Sequence, residues 1–223
     1  MHVFVVVPAF NEGEAIGAVL DELRPYDVRV VVVDDCSTDA TADAARQGGA
    51  VVLRHTINRG QGAAIQTGIA YALRRGAEVI VTFDSDGQHD AGDLAALVAP
   101  IREGRADVVL GSRFLEPRSA IPPTRRALLK LAILFTRATS GLRVTDAHNG
   151  LRAFSRRAAA MVDIKLDRMA HASELMDQIR RSRLRYVEVP ARVRYTPYAR
   201  RKGQRGVHAL RVAFDYLVGR WVR

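Results

Sequence analysis

Three runs of β-branched residues constrain this chain more than anything else in it. Residues 3–7, 28–33 and 79–83 are apolar at almost every position, with valine dominant. Side chains alternate between the two faces of a strand, so such a run needs cover on both faces. Between the runs lie windows of helical periodicity. One spans residues 14–23, and a second is capped by Thr38 or Asp39 and stopped by Gly48 and Gly49. A third runs from the Asn58–Gly62 turn to Arg75, and a fourth over residues 90–102. With further strands expected at 51–53 and 107–111, the alternation predicts an α/β fold with a mostly parallel sheet flanked by helices. Ligands of such sheets sit beyond the carboxyl ends of the strands. Three polar loops leave strands there: residues 8–12, 34–39 and 84–88.

The third loop carries the clearest chemistry. After residues 79–83 come Asp84, Ser85, Asp86, Gly87 and Gln88. Residues two apart in an extended chain share a face, so Asp84 and Asp86 can converge on one cation with the Gln88 amide oxygen as third ligand. An all-oxygen donor set suits Mg²⁺ or Mn²⁺, which keeps waters and takes the rest of its shell from phosphate. The competing reading is turn chemistry, in which an aspartate binds its own main chain. In the second loop, Asp34 and Asp35 exceed what helix capping needs, and one of them can hydrogen-bond a base or ribose; Asp39 is read as a cap.

Charge divides the chain. Of its 223 residues, 1–112 hold 9 Lys and Arg against 16 Asp and Glu, whereas 113–223 hold 25 against 8. Residues 1–112 are read as an α/β half and residues 113–223 as a basic half of one domain. Such a basic half fits a phosphate-bearing substrate, an anionic membrane or nucleic acid. No zinc-finger spacing, aromatic RNA-binding strand or recognition helix is present, so nucleic acid is not expected as a partner. The lone Cys36 excludes a disulfide framework and fits a reducing compartment. No signal peptide and no apolar run near 20 residues is visible, so the expected location is cytoplasmic and peripheral to the membrane.

In the basic half, residues 124–137 form an amphipathic helix bearing Arg125, Arg126, Lys130 and Arg137 beside an apolar stripe over 128–135. That pattern is either a solvated face or a helix lying in a membrane interface. Residues 146–155 read as a turn entering a short strand, 171–181 as a helix and 184–193 as a strand ending near Pro190. The tail holds Arg200, Arg201, Lys202 and Arg205, then a helix with Leu210, Phe214, Leu217 and Trp221 on one stripe. That stripe packs on the chain's own core, meets the membrane or docks on an integral-membrane partner.

Five segments occur in a familiar order: 5–12, 32–39, 58–64, 84–89 and 111–114. Together they resemble family 2 glycosyltransferases, most of all the branch of dolichyl-phosphate mannose synthases and polyprenyl-phosphate glycosyltransferases. The resemblance implies a glycosyltransferase-A fold, a GDP- or UDP-linked sugar donor, and Mg²⁺ or Mn²⁺, with residues 1–112 as the nucleotide-sugar-binding half and 113–223 as the acceptor- and membrane-facing half. Carried over by position, Pro8, Ala9, Glu12, Asp34 and Asp35 would hold the nucleoside. Asp84, Asp86 and Gln88 would hold the metal, with Asp84 and Ser85 also on the donor. Arg113 and Arg126 would face the acceptor phosphate and share the catalytic role with Asp86. Arg201 and Lys202 would belong to a basic loop over the donor. Many relatives carry C-terminal membrane helices where this chain ends, which points to a small integral-membrane partner.

The expected reaction is inverting transfer of a sugar to a polyprenyl phosphate. A phosphate monoester is already anionic and needs no general base, but it does need cations that hold two anions together. A saccharide hydroxyl as acceptor would need a base, for which Glu174 or Asp146 would serve. A nucleotidyltransferase would show a Gly-rich, Lys-containing loop after the first strand, and residues 8–12 lack it. A non-catalytic module binding anionic lipid or nucleic acid is the remaining alternative. His89 is expected to support the metal ligands or cap a helix, and no Cys or His cluster indicates zinc.

Overall fold

The computed structural model describes residues 1–116, 119, 121–166, 171–196 and 198. Arg201, Lys202 and the stripe from Leu210 to Trp221 lie outside the described residues.

Seven strands form one sheet in the order β3-β2-β1-β4-β6-β5-β7. They are β1 (Val3–Ala9), β2 (Arg29–Asp34), β3 (Val51–Arg54), β4 (Val79–Thr82), β5 (Val108–Ser112), β6 (Arg152–Ser155) and β7 (Tyr186–Pro190). Every pairing is parallel except those of β6, which runs antiparallel to β4 and β5. Alternation along β1 shows why its sequence is continuously apolar. Phe4 and Val6 face a core with Ala64, Ile65 and Ile69 of α3 (Gln61–Arg74) and Leu175, Met176 and Ile179 of α7 (His171–Arg181). Val5 and Val7 face a second core with Ile16, Val19 and Leu20 of α1 (Ile16–Leu23) and Leu94 and Leu97 of α4 (Leu94–Arg102). The two layers lock the strand register, because a slip of one residue would exchange the faces.

Several boundaries differ from expectation for local reasons. β1 does not stop before Pro8 but runs through it, paired with Val33. Phe83 N donates to Val6 O, so Val6 and Pro8, two apart, turn their main chain toward β4. That ladder ends at Thr82, and the missing N–H of Pro8 removes no ladder bond. The helix expected to be capped by Thr38 or Asp39 starts at Thr41, as α2 (Thr41–Gln47), with Ala40 at the cap position. Asp39 still accepts from Thr41 N at 3.0 Å, and also from Gly13 N at 3.0 Å, which spends its capping oxygens on two segments. A short helix, α6 (Arg156–Met161), follows β6 where none was expected, capped by Ser155 accepting from Ala158 N.

The amphipathic helix is α5 (Pro123–Ser140), longer at both ends than read from sequence: proline opens it and the left-handed Gly141 closes it. Ile133 and Thr136 are buried, whereas Leu131 and Leu134 are each 64% exposed and Leu128 is 39% exposed. No helix among the described residues is long and apolar enough to cross a membrane.

Candidate active site

The exits of β1, β2 and β4 lie side by side at one sheet edge, as parallel pairing requires. Ser85 ties two of them together by donating from its buried hydroxyl to Pro8 O at 2.9 Å. That hydroxyl, expected at the donor, thus joins the β4 exit to β1. Pro8 and Ala9 are buried in the strand end, and Ala9 O accepts from Asp35 N at 2.8 Å.

Asp84 is held from several directions. Its Oδ1 accepts from Gln61 Nε2 at 3.0 Å, and its Oδ2 lies 2.9 Å from His89 Nε2. Gly150 packs directly on the carboxylate: a Cβ there would lie 2.8 Å from Asp84 Cγ and closer still to both oxygens. Burial pushes the Asp84 carboxyl up, but His89, Arg152 and His171 together outweigh burial and hold it below its ordinary value. Asp86 goes the other way. Burial first, then the negative charge of Asp84, with a smaller share from Glu12, push it up to about 6. Its Oδ1 accepts from Gln88 N at 3.0 Å, the aspartate turn weighed as the alternative from sequence. Turn and acid pair therefore coexist. Gln88 O in turn accepts from Arg194 N.

This pair fits a divalent cation. Both carboxylates are half-buried, the charge of Asp84 raises Asp86, and a cation between them removes that repulsion. Among the described residues no group of three or more His, Cys, Asp or Glu side chains is placed to hold a metal. A cation on Asp84 and Asp86 would therefore complete its shell with Gln88, phosphate or water, as Mg²⁺ does.

The β2 acids are occupied by the fold. Asp34 is fully buried; its Oδ1 accepts from Ser37 N at 2.9 Å, and Arg54 Nε stands 3.2 Å from its Oδ2. Asp35 accepts from Arg59 N at 2.9 Å and Gly60 N at 2.6 Å, and its Oδ1 lies 2.7 Å from His55 Nδ1. The other His55 nitrogen meets Thr67 Oγ1 at 3.0 Å. Asp35 thereby fixes the loop that opens α3, and through Gln61 the position of Asp84. Glu12 sits at the start of α1, its N–H donating to Thr41 Oγ1 at 2.8 Å and its Oε2 accepting from Tyr198 Oη at 2.6 Å.

On the basic side, Arg113 is buried at the end of β5. Its Nε lies 2.6 Å from Asp146 Oδ2, which also accepts from its main-chain N at 3.1 Å. Burial pulls the Arg113 guanidinium down, but the Asp146 carboxylate outweighs burial and holds it above its usual value. Beside it, Phe114, Lys130, Ile133, Leu134, Arg137 and Thr145 enclose an open cleft of about 410 Å³. Arg126 is exposed on α5, one turn before Lys130, and is not part of that lining. The structure thus separates Arg113, inside, from Arg126, on the outer face. Arg201 and Lys202 lie outside the described residues.

Sequence reasoning passed over Arg152. It lies on β6 opposite Thr82 and Leu110, is buried, and donates from Nη2 to Ala147 O at 3.2 Å. Burial lowers its guanidinium to about 10, with Asp84 and Asp146 pulling the other way. The available signal was a single arginine in the apolar run of residues 151–154. Gln61 lies in the segment 58–64 but was given no role of its own, and Tyr198 and Gly150 carried no comparable signal, because their partners are distant in sequence.

Comparison with known proteins shows the family and the fold. The model of glycosyl transferase family 2 matches residues 4–161. A UDP-N-acetylglucosamine–dolichyl-phosphate N-acetylglucosaminyltransferase of Methanococcus voltae is 29% identical over 97% of this chain and 95% of its own length. An undecaprenyl-phosphate mannosyltransferase of Micrococcus luteus is 32% identical over 85% of this chain and 82% of its own. Among solved structures, glucosyl-3-phosphoglycerate synthase from Mycobacterium tuberculosis, crystallised with Mg²⁺ and UDP, superposes with a TM-score of 0.72 at 20% identity. That match covers 96% of this chain and 79% of the other.

Proposed function

The chain belongs to glycosyl transferase family 2, with the glycosyltransferase-A fold, and on that premise we propose that it transfers a sugar from a nucleoside diphosphate to a polyprenyl phosphate. The observation that carries the acceptor is the cleft beside Arg113. Its Phe114, Ile133 and Leu134 walls suit an isoprenoid chain, and Lys130 and Arg137 suit the phosphate at its end. The two relatives named above act, by their names, on dolichyl and undecaprenyl phosphates.

The candidate bases agree. Asp146 is buried against Arg113, and Glu174 is buried with its Oε2 accepting from Lys165 N and Leu166 N at 3.1 and 2.8 Å. Both carboxylates are engaged in holding structure, which suits an acceptor that brings its own negative charge.

In the reaction, an acceptor phosphate oxygen attacks the anomeric carbon from the face opposite the diphosphate. The new C–O bond forms as the bond to the leaving diphosphate breaks, with inversion. Asp84 and Asp86, with Gln88, would hold Mg²⁺ or Mn²⁺, which would neutralise charge on the diphosphate. Gln61, His89 and Gly150 keep Asp84 in place. Lys130 and Arg137 lower the repulsion between the two anions, and Arg113, locked by Asp146, fixes the cleft's inner wall. Glu12 and the loop held by Asp35 border the nucleoside.

The α5 surface supports a peripheral membrane location. Leu128, Leu131 and Leu134 project from it beside Arg126 and Lys130, so α5 lies on an anionic membrane surface at the cytoplasmic side, where nucleotide sugars are found. An integral-membrane partner would add to this attachment. The acceptor assignment is tested by offering farnesyl phosphate, farnesol and free mannose with each UDP- and GDP-sugar. Transfer to farnesyl phosphate alone is expected, and preferred transfer to a hydroxyl would overturn it.

A further inference from the structure

Arg152 is a buried cation to which the reaction above gives no task. It stands on β6 opposite Thr82 of β4, two residues before Asp84, and opposite Leu110 of β5, three residues before Arg113. Phe154, two residues on, belongs to the core that α3 and α7 cover, so Arg152 lies on that face of the sheet, toward the carboxyl ends of β4 and β5. The acids whose charge it feels are Asp84 and Asp146.

Neither acid bonds to it among the described residues. Asp84 is held by Gln61 and His89, and Asp146 is spent on Arg113. A guanidinium carries five N–H donors. One of them reaches an acceptor among the described residues, from Nη2 to Ala147 O at 3.2 Å, although the residue is only 4% exposed. A buried charge with so few bonds is costly to keep. Water would satisfy the remaining donors but not the charge, whereas a phosphoryl group satisfies both, and its oxygens match the guanidinium fork. The reaction brings two such groups to this edge of the sheet, the diphosphate of the donor and the phosphate of the acceptor.

We propose that Arg152 binds a phosphoryl oxygen of a substrate, at the point where the candidate metal ligand Asp84 and the Arg113–Asp146 pair approach each other. The inference rests on the sugar-transfer reading above. It adds a phosphate ligand on β6 to the cations of α5.

In the full-length protein, Arg152→Met removes the charge and Arg152→Lys keeps it without the fork. If the oxygen belongs to the donor, calorimetric affinity for pyrophosphate with Mn²⁺ is expected to fall about 10- to 100-fold in Arg152→Met and less in Arg152→Lys. If it belongs to the acceptor, pyrophosphate binding holds and the KM for farnesyl phosphate rises by a similar factor. Affinity for Mn²⁺ alone is expected to hold or rise in Arg152→Met, because a positive charge near Asp84 is gone. Unchanged pyrophosphate affinity together with unchanged KM would overturn the inference, and so would an equal loss of metal and phosphate, the mark of a purely structural arginine. A test that needs no variant is a crystal of the wild type with Mn²⁺ and pyrophosphate, and another with farnesyl phosphate. A phosphoryl oxygen at hydrogen-bond distance from Arg152 is expected in one of them, and its absence from both would overturn the inference alone. Wild type that binds no pyrophosphate and transfers no sugar to farnesyl phosphate would overturn the sugar-transfer reading and the inference with it.

Discussion

Alanine at position 150 changes one methyl group at the candidate metal ligand. The Gly150 backbone lies outside the left-handed region, so alanine fits its conformation and only space is at issue. The new Cβ would stand 2.8 Å from Asp84 Cγ, against ordinary contact of about 3.4 Å or more. Asp84 would have to retreat by at least roughly 0.6 Å, which is the difference. Gln61 and His89 hold it at 3.0 and 2.9 Å, and the opposing chain is pinned by Thr82 Oγ1 donating to Gly150 O at 2.6 Å. Losing one charge-assisted bond to Asp84 costs about 1.5–3 kcal/mol. Mn²⁺ should then bind on the order of 10- to 100-fold more weakly, and turnover should fall about 100-fold, as expected for a displaced reacting group. Titration calorimetry of Mn²⁺ in the presence of UDP or GDP, with initial rates, measures both. Gly17→Ala is the control: nothing lies within 4 Å of its Cβ in α1, and it should gain about 0.5–1 kcal/mol of stability. Wild-type metal affinity and turnover in Gly150→Ala would refute the reasoning.

His148 predicts a pH dependence of stability. Burial, then the Arg152 charge, lowers its imidazole to about 4 in the folded protein, with Asp146 opposing. The unfolded chain binds that proton near the ordinary value of about 6.5, so this contribution is complete above about 6.5 and is lost as pH falls toward 4. It amounts to on the order of 3 kcal/mol. Urea unfolding of His148→Gln should show a shallower decline over that window than wild type, and identical slopes would count against it. On α5, Leu131 and Leu134 are each 64% exposed, so immersing the exposed part of each yields about 1.3 kcal/mol from a full value near 2. The double change to Gln should weaken binding to phosphatidylglycerol vesicles roughly 50- to 100-fold, and unchanged sedimentation with vesicles would exclude α5 as the membrane face.

The parts of the fold set by local pattern were legible in the sequence. Valine runs with two buried faces announced β1, β2 and β4, and their acidic exits marked the sheet edge where Asp84 and Asp86 now stand. What was not legible depended on long-range pairing. Residues 146–155 read as a turn entering a short strand, but nothing local showed that this strand, β6, inserts antiparallel between β4 and β5. Asp34 and Asp35 were read toward the nucleoside. In the folded chain their side chains hold Ser37 and the residues 55–60 loop, partners that only the folded chain reveals. Arg113 and Arg126 looked equivalent as phosphate ligands in one basic half. The structure buries one against Asp146 and leaves the other exposed, and it lines the cleft with Lys130 and Arg137.

The most direct test of the proposed reaction is transfer of radiolabelled sugar from a panel of UDP- and GDP-sugars into undecaprenyl or dolichyl phosphate, followed by organic extraction. It is run with and without Mn²⁺ on wild type and Asp86→Ala. Label in the organic phase that depends on Mn²⁺ and disappears in the variant is the predicted result. Label that stays in a water-soluble saccharide, or reaches the lipid equally well with Asp86→Ala, would contradict it.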